Sequence, residues 1–158
     1  VDSGTTDTYF STVIKKQLSN NWETLAGMGW THDKLKLSPE EVHKLPTLLL
    51  QFAGDINMNK EVAEKHGGGD PNNVPGLAGD LDKNYPYDVV VAIPASHYME
   101  GEASVTNRLY ATETDGSVLG ANALIGHDVL VSFEKNCSNV VVLLFPILIF
   151  FSISVYNH

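Results

Sequence analysis

The chain divides its apolar residues into short runs and closes each one with a turn former. Pro46–Phe52 ends at Gly54-Asp55, and Val89–Ile93 ends at Pro94. Arg108–Thr112, Ser117–Leu119 and Val129–Phe133 follow, with turns between them. Runs of this length bounded by Gly, Pro, Asn and Asp are the pattern of β-strands. Two short helices accompany them. Phe10, Val13, Ile14 and Leu18 recur at near-helical spacing, so a helix is expected over Tyr9–Asn20 with Lys15 and Lys16 facing out. Ser38-Pro39-Glu40-Glu41 starts the second: Ser38 caps, Pro39 fits the first helical position and Glu41 closes a capping box. Pro46 stops that helix. The expectation is a mostly β fold with a few short helices and no internal repeat.

Two segments stand apart. Asp55–Pro86 holds Gly67-Gly68-Gly69, Pro71, Asn72-Asn73, Pro75 and Gly76, with few large apolar residues. It is expected to be a long inserted loop, exposed and outside the core. Val140–Tyr156 carries no charge and is nearly all apolar, with Pro146 near its centre. Its 17 residues fall short of the ~20 that a spanning helix needs. Two readings stay open for it: a closing strand over Val140–Leu144, or a membrane anchor through residues 140–156. The organisation expected is one lobe over residues 1–139 and an apolar tail over 140–158.

Composition narrows the partners. The 158 residues carry a net charge of −9, and the sequence pI is about 4.9. An acidic protein repels phosphate backbones, so nucleic acid is not an expected partner. Cys137 is the single cysteine and makes no internal disulfide. Asn136-Cys137-Ser138 fits the N-glycosylation acceptor pattern. The opening Val1-Asp2-Ser3 has neither an initiator Met nor a signal-like segment and reads as cut from something longer.

Several other motifs fail on inspection. Asp55-Ile56-Asn57-Met58-Asn59 has the opening spacing of a calcium loop. Lys60 stands where that loop needs Gly, and His66 where it needs Glu. His32, His43, His66, His97, His127 and His158 are scattered without zinc-ligand spacing. Gly67–Gly69 lacks the Lys-Ser/Thr ending of a phosphate loop. Trp22 and Trp30 are read as packing residues.

The chemistry sits at the start of the chain, in Asp2-Ser3-Gly4-Thr5-Thr6. Asp2 supplies a carboxylate, and Gly4 lets the backbone turn tightly. Ser3 and Thr5 offer hydroxyls that can hold the carboxylate in place. About a hundred residues on, Val118-Leu119-Gly120 gives two apolar residues and a Gly. Between and after them come Leu45–Phe52, Ala92-Ile93-Pro94 with Tyr98, and Val129–Glu134. In this order the pieces resemble the carboxy-terminal lobe of the pepsin-like aspartic proteases, over most of residues 1–135.

The resemblance implies one lobe of a bilobal, mostly β, acid-protease barrel fold and an aspartic endopeptidase activity. Asp2 would be one of two carboxylates that share a proton and activate a water. The second Asp would come from an amino-terminal lobe, without which this chain is expected to be inactive. Ser3, Gly4, Thr5 and Thr6 would form the active-site turn and meet the substrate backbone. Val118, Leu119 and Gly120 would thread beside that turn as a supporting loop. No metal or other cofactor is implied; the partners are a peptide or protein substrate and the amino-terminal lobe. The expected setting is the secretory pathway, a vacuole or lysosome, or the extracellular space, with membrane anchoring as the alternative. A competing reading is a truncated or decayed homologue that binds peptides or proteins without cleaving them. Self-association of two copies, each giving an Asp2, ranks last.

Overall fold

The computed structural model describes residues 4–134 and 137–144, those from His127 on by backbone pairing alone. It divides into two compact units whose segments alternate along the chain. One unit takes the chain up to Leu48 together with Ala92–Ile125; the other takes Leu49–Val91 and the chain from Gly126 on.

The first unit is organised around strand β1, Thr8–Ser11. Thr8 and Phe10 point inward and are buried, while Tyr9 is half-buried, the alternation of a strand with one buried face. β1 runs parallel to β6, Leu109–Glu113, with Thr8 opposite Leu109, Tyr9 opposite Tyr110 and Phe10 opposite Ala111. On its other side Tyr9 exchanges two backbone hydrogen bonds with Val118, at 2.8 and 2.7 Å. The helix expected from Tyr9 therefore begins later. Thr8, Tyr9 and Phe10 are β-branched or aromatic and find pairing partners on both sides, and this outweighs the helical spacing of the apolar residues. Ser11 then accepts a hydrogen bond from Val13 N, a 3-10 turn covers Thr12–Ile14, and helix α1 occupies Lys15–Ala26. Gly27, at φ 68°, ends it in the left-handed conformation.

Helix α2, Pro39–His43, carries the expected capping box. Ser38 N donates to Glu41 Oε2 at 2.8 Å, and Glu41 N donates to Ser38 Oγ at 3.2 Å. His97 and Tyr98 lie in a single helical turn, α4 at Ala95–Tyr98. Pro94 fits the entry to that turn because its fixed φ (−69°) needs no N–H there. The chain extends one residue later, where β4, Met99–Glu100, pairs antiparallel with β5, Thr106–Asn107. Ile93, Tyr98 and Leu109 are fully buried. Burial of an Ile or Leu side chain stabilises by about 1.5–3 kcal/mol. Trp22, the buried residue of α1, meets Trp30 and Tyr98 edge-on at 5.1 and 5.6 Å. The last helix of this unit, α5, is Ala121–Leu124.

β2, Leu48–Phe52, pairs with β3, Val89–Ile93, and most of each strand falls in the second unit. β2 is not a buried strand. It alternates half-buried and exposed residues, and Leu49 is 55% exposed. The long loop expected over Asp55–Pro86 is also corrected. Helix α3 occupies Ile56–Gly67, and its start is set by Asp55, whose Oδ1 accepts from Asn57 N and Met58 N, each at 3.0 Å. Gly68, at φ 64°, caps its end. Ala63 packs with Val74 and Leu77 in a small core that Val62 and Tyr87 flank. Gly76 O accepts from Val90 N, Ala78 N donates to Asp88 O and Gly79 N donates to Pro86 O, each at 2.8 Å. The glycines and prolines of this stretch supply caps and turns between buried residues; they do not mark it as unstructured. The residues that suggested a calcium loop are the cap, Asp55, and helix residues here, and Asn59 is buried with its amide on Tyr87 O at 2.7 Å.

β7, His127–Glu134, pairs antiparallel with β8, Cys137–Leu144, from Glu134 opposite Cys137 to His127 opposite Leu144. Val140–Leu144 thus lie in a strand, and the boundary expected between residues 139 and 140 falls inside it. Residues 145–158 of the apolar tail lie outside the described residues. Among the described residues, no helix is long and apolar enough to cross a membrane.

Candidate active-site turn

Asp2, Ser3 and the glycosylation candidate Asn136 lie outside the described residues. The turn is followed from Gly4, which is exposed, through Thr5, half-buried, and Thr6, exposed, to Asp7 and Thr8, both buried. Two backbone hydrogen bonds fasten it to the first residues of α5. Ala121 N donates to Thr5 O at 2.7 Å, and Asn122 N donates to Thr6 O at 3.0 Å.

Gly120 is set between these contacts. Its N donates to Thr8 Oγ1 at 3.2 Å. A Cβ built on it would run into the carbonyl oxygens of Asp7 and Thr5. Its φ is −85°, so close approach and not backbone conformation is what demands glycine here. Val118 bridges to Tyr9, and Leu119 is half-buried. The structure therefore seats Gly120 against Thr5 and Asp7 and pairs Val118 with Tyr9, across more than a hundred residues of sequence. Gly4 and Leu119 take no part in those two contacts.

Five residues that sequence reasoning passed over belong to the same place. Thr8 Oγ1 donates to Asn122 Oδ1 at 2.6 Å, both buried. Asn122 Nδ2 donates to Arg108 O at 3.2 Å. Arg108 Nε lies 3.0 Å from Asp7 Oδ1 and 2.9 Å from Glu100 Oε2. These are charge contacts off the N–H axis and not aligned hydrogen bonds. Burial works against the Arg108 charge, but the Asp7 carboxylate, Tyr110 and Glu100 outweigh it and hold its pKa above the ordinary value. Thr8 and Asn122 are 114 positions apart, and no spacing rule links a Thr and an Asn at that distance.

Beside the turn is a cavity of about 300 Å³, lined in part by Thr6, Asp7, His97, Glu100, Arg108 and Asn122. His97 Nδ1 is buried there without a hydrogen-bond partner, and burial holds the imidazole below its ordinary pKa. Among the described residues, no group of three or more His, Cys, Asp or Glu side chains is placed to hold a metal ion. What the arrangement does chemically is fix backbone: the carbonyls of Thr5 and Thr6 are engaged, Gly120 closes on the turn, and an ion pair anchors Asp7. Compared with protein-family models, with curated proteins and with solved structures, the chain matches none.

Proposed function

We propose that this chain is the carboxy-terminal lobe of a pepsin-like aspartic endopeptidase, with Asp2 as one of its two catalytic carboxylates. The observation that carries the reading is the seat of Gly120 against the carbonyls of Thr5 and Asp7, with Ala121 N and Asn122 N on Thr5 O and Thr6 O. A catalytic carboxylate must be held within a fraction of an ångström of its partner, and a turn clamped along its backbone meets that need. The Asp-Ser-Gly-Thr-Thr sequence, the apolar-apolar-Gly triplet and the seat of Gly120 against Thr5 and Asp7 are three features that an ordinary surface turn has no reason to combine.

In this reading one acid of the pair is ionised and takes a proton from the water between them. The hydroxide so formed attacks the peptide carbonyl carbon, while the protonated acid donates to the carbonyl oxygen. The tetrahedral intermediate collapses as a proton passes to the leaving amine, and the C–N bond breaks. The second acid belongs to an amino-terminal lobe. The test is peptide hydrolysis by the full-length protein, across pH, with Asp2→Asn beside it. Expected are an acidic optimum, inhibition by pepstatin, and loss of turnover in Asp2→Asn with the fold retained. Hydrolysis that survives Asp2→Asn, or a wild-type protein that binds peptides without cleaving them, overturns the reading.

A further inference from the structure

We propose that Thr8 and Asn122 are positioning residues for the active-site turn, acting through a closed ring of buried hydrogen bonds; this rests on the function proposed above. Thr8 is fully buried and Asn122 is 6% exposed. Gly120 N–H donates to Thr8 Oγ1, and the Thr8 hydroxyl donates to Asn122 Oδ1. Asn122 Nδ2 donates to Arg108 O, and Thr8 N donates to the same carbonyl at 3.3 Å. The ring can run in one sense only. Gly120 N–H has nothing to accept with, so the Thr8 oxygen must accept from it and its proton must turn to Asn122. Arg108 O has nothing to donate, so the amide nitrogen of Asn122 must face it and the amide oxygen must face Thr8.

The ring decides where the turn sits. It holds the N–H of Gly120, and Gly120 touches the Thr5 and Asp7 carbonyls directly. It holds the side chain of Asn122, whose backbone N binds Thr6 O. An apolar core pair at these two positions would fill the space without fixing direction. The hydroxyl and the amide instead set both the distance and the orientation of α5 against the turn. A small displacement there shifts Thr5 and Thr6, and on the proposed function it alters the coupling between Asp2, just before them in sequence, and its partner acid. Two carboxylates that share a proton titrate as a unit, and their apparent pKa values depend on separation and alignment.

The experiment compares pH profiles of kcat and KM in the full-length protein, with rates normalised to the folded fraction. Thr8→Val keeps the shape of the side chain and removes the hydroxyl; kcat is expected to fall by roughly 10–100-fold with KM little changed, as misplacement costs rate. The two limbs of its profile should also shift. Thr8→Ser restores the hydroxyl and should return both rate and limbs close to wild type. If Thr8→Val does not fold, Asn122→Asp serves. Its protonated acid can reproduce the amide by donating to Arg108 O, whereas its carboxylate cannot, so activity should be lost first on the high-pH side. A profile of unchanged shape and rate in Thr8→Val, no rescue by Thr8→Ser, or an Asn122→Asp profile that merely scales, overturns the positioning role. Asp2→Asn in the same assay separates the two claims. If Asp2→Asn is dead and the ring variants are silent, only the positioning fails; if Asp2→Asn is active, the endopeptidase reading fails.

Discussion

Gly120 leaves no room for a side chain, because two backbone carbonyls occupy the place a Cβ would take. Gly120→Ala must therefore push the turn or α5 aside, and a loss of about 1–3 kcal/mol is expected in urea unfolding. Gly29→Ala is the control. Open space surrounds that position, and its effect should stay within about 0.5 kcal/mol. His97 gives a pH prediction with a definite sign. Its folded pKa lies below the ordinary value through burial, so the unfolded chain takes up the proton more readily. Stability should fall as pH drops below about 6.5 and level off once the pH is below the folded value. Urea midpoints across that window check it, and His97→Gln should flatten the dependence. Gly120 was legible in the sequence because a small residue inside an apolar triplet has a recognisable form. Thr8 and Asn122 were not, since a buried Thr–Asn pair is defined by tertiary contact and leaves no local pattern.

Local chemistry fared better than periodicity at the scale of elements. The start of α2 was readable because Ser38, Pro39 and Glu41 each satisfy a separate backbone requirement, and the structure contains all three. β3 was readable as an apolar run closed by Pro94. The segment Tyr9–Ser11 was misread because helical spacing of apolar residues says nothing of the pairing partners, β6 on one side and Val118 on the other, that lie far away in sequence. The stretch from Asp55 on was misread because glycines and prolines were counted by number and not by place. Gly68 stands at a helix end, and Pro71 opens a 3-10 turn after Asp70. A protease makes the difference measurable. Lys60 and Lys65 lie within α3, and Lys60 sits over the Tyr87 ring at 5.5 Å. Lys83 lies in an exposed turn, its side chain 80% accessible. Trypsin should cut after Lys83 well before it cuts after Lys60 or Lys65, as mass spectrometry of early fragments will show. Early cleavage within α3 would contradict the helix.

For the whole molecule, the chain passes from one compact unit to the other and back, a division that no composition shift announces, because each unit draws on segments far apart in sequence. That partition was not legible in the sequence. Activity belongs here too. On the proposed function a single carboxylate has no protonated partner to polarise a carbonyl, so this chain alone is expected to leave peptides intact, and a protein that joins it to an amino-terminal lobe to cleave them. An acid-range peptide assay on both checks it. The edge-to-face packing of Trp22 on Trp30 has a further use. The chain has two tryptophans, and both lie in the unit that contains Tyr98 and Leu109. Their emission is therefore a built-in optical reporter for that unit alone, blind to melting of α3 and its small core. Fluorescence and far-ultraviolet dichroism followed through the same thermal ramp would coincide if the halves unfold in one step and separate if they do not.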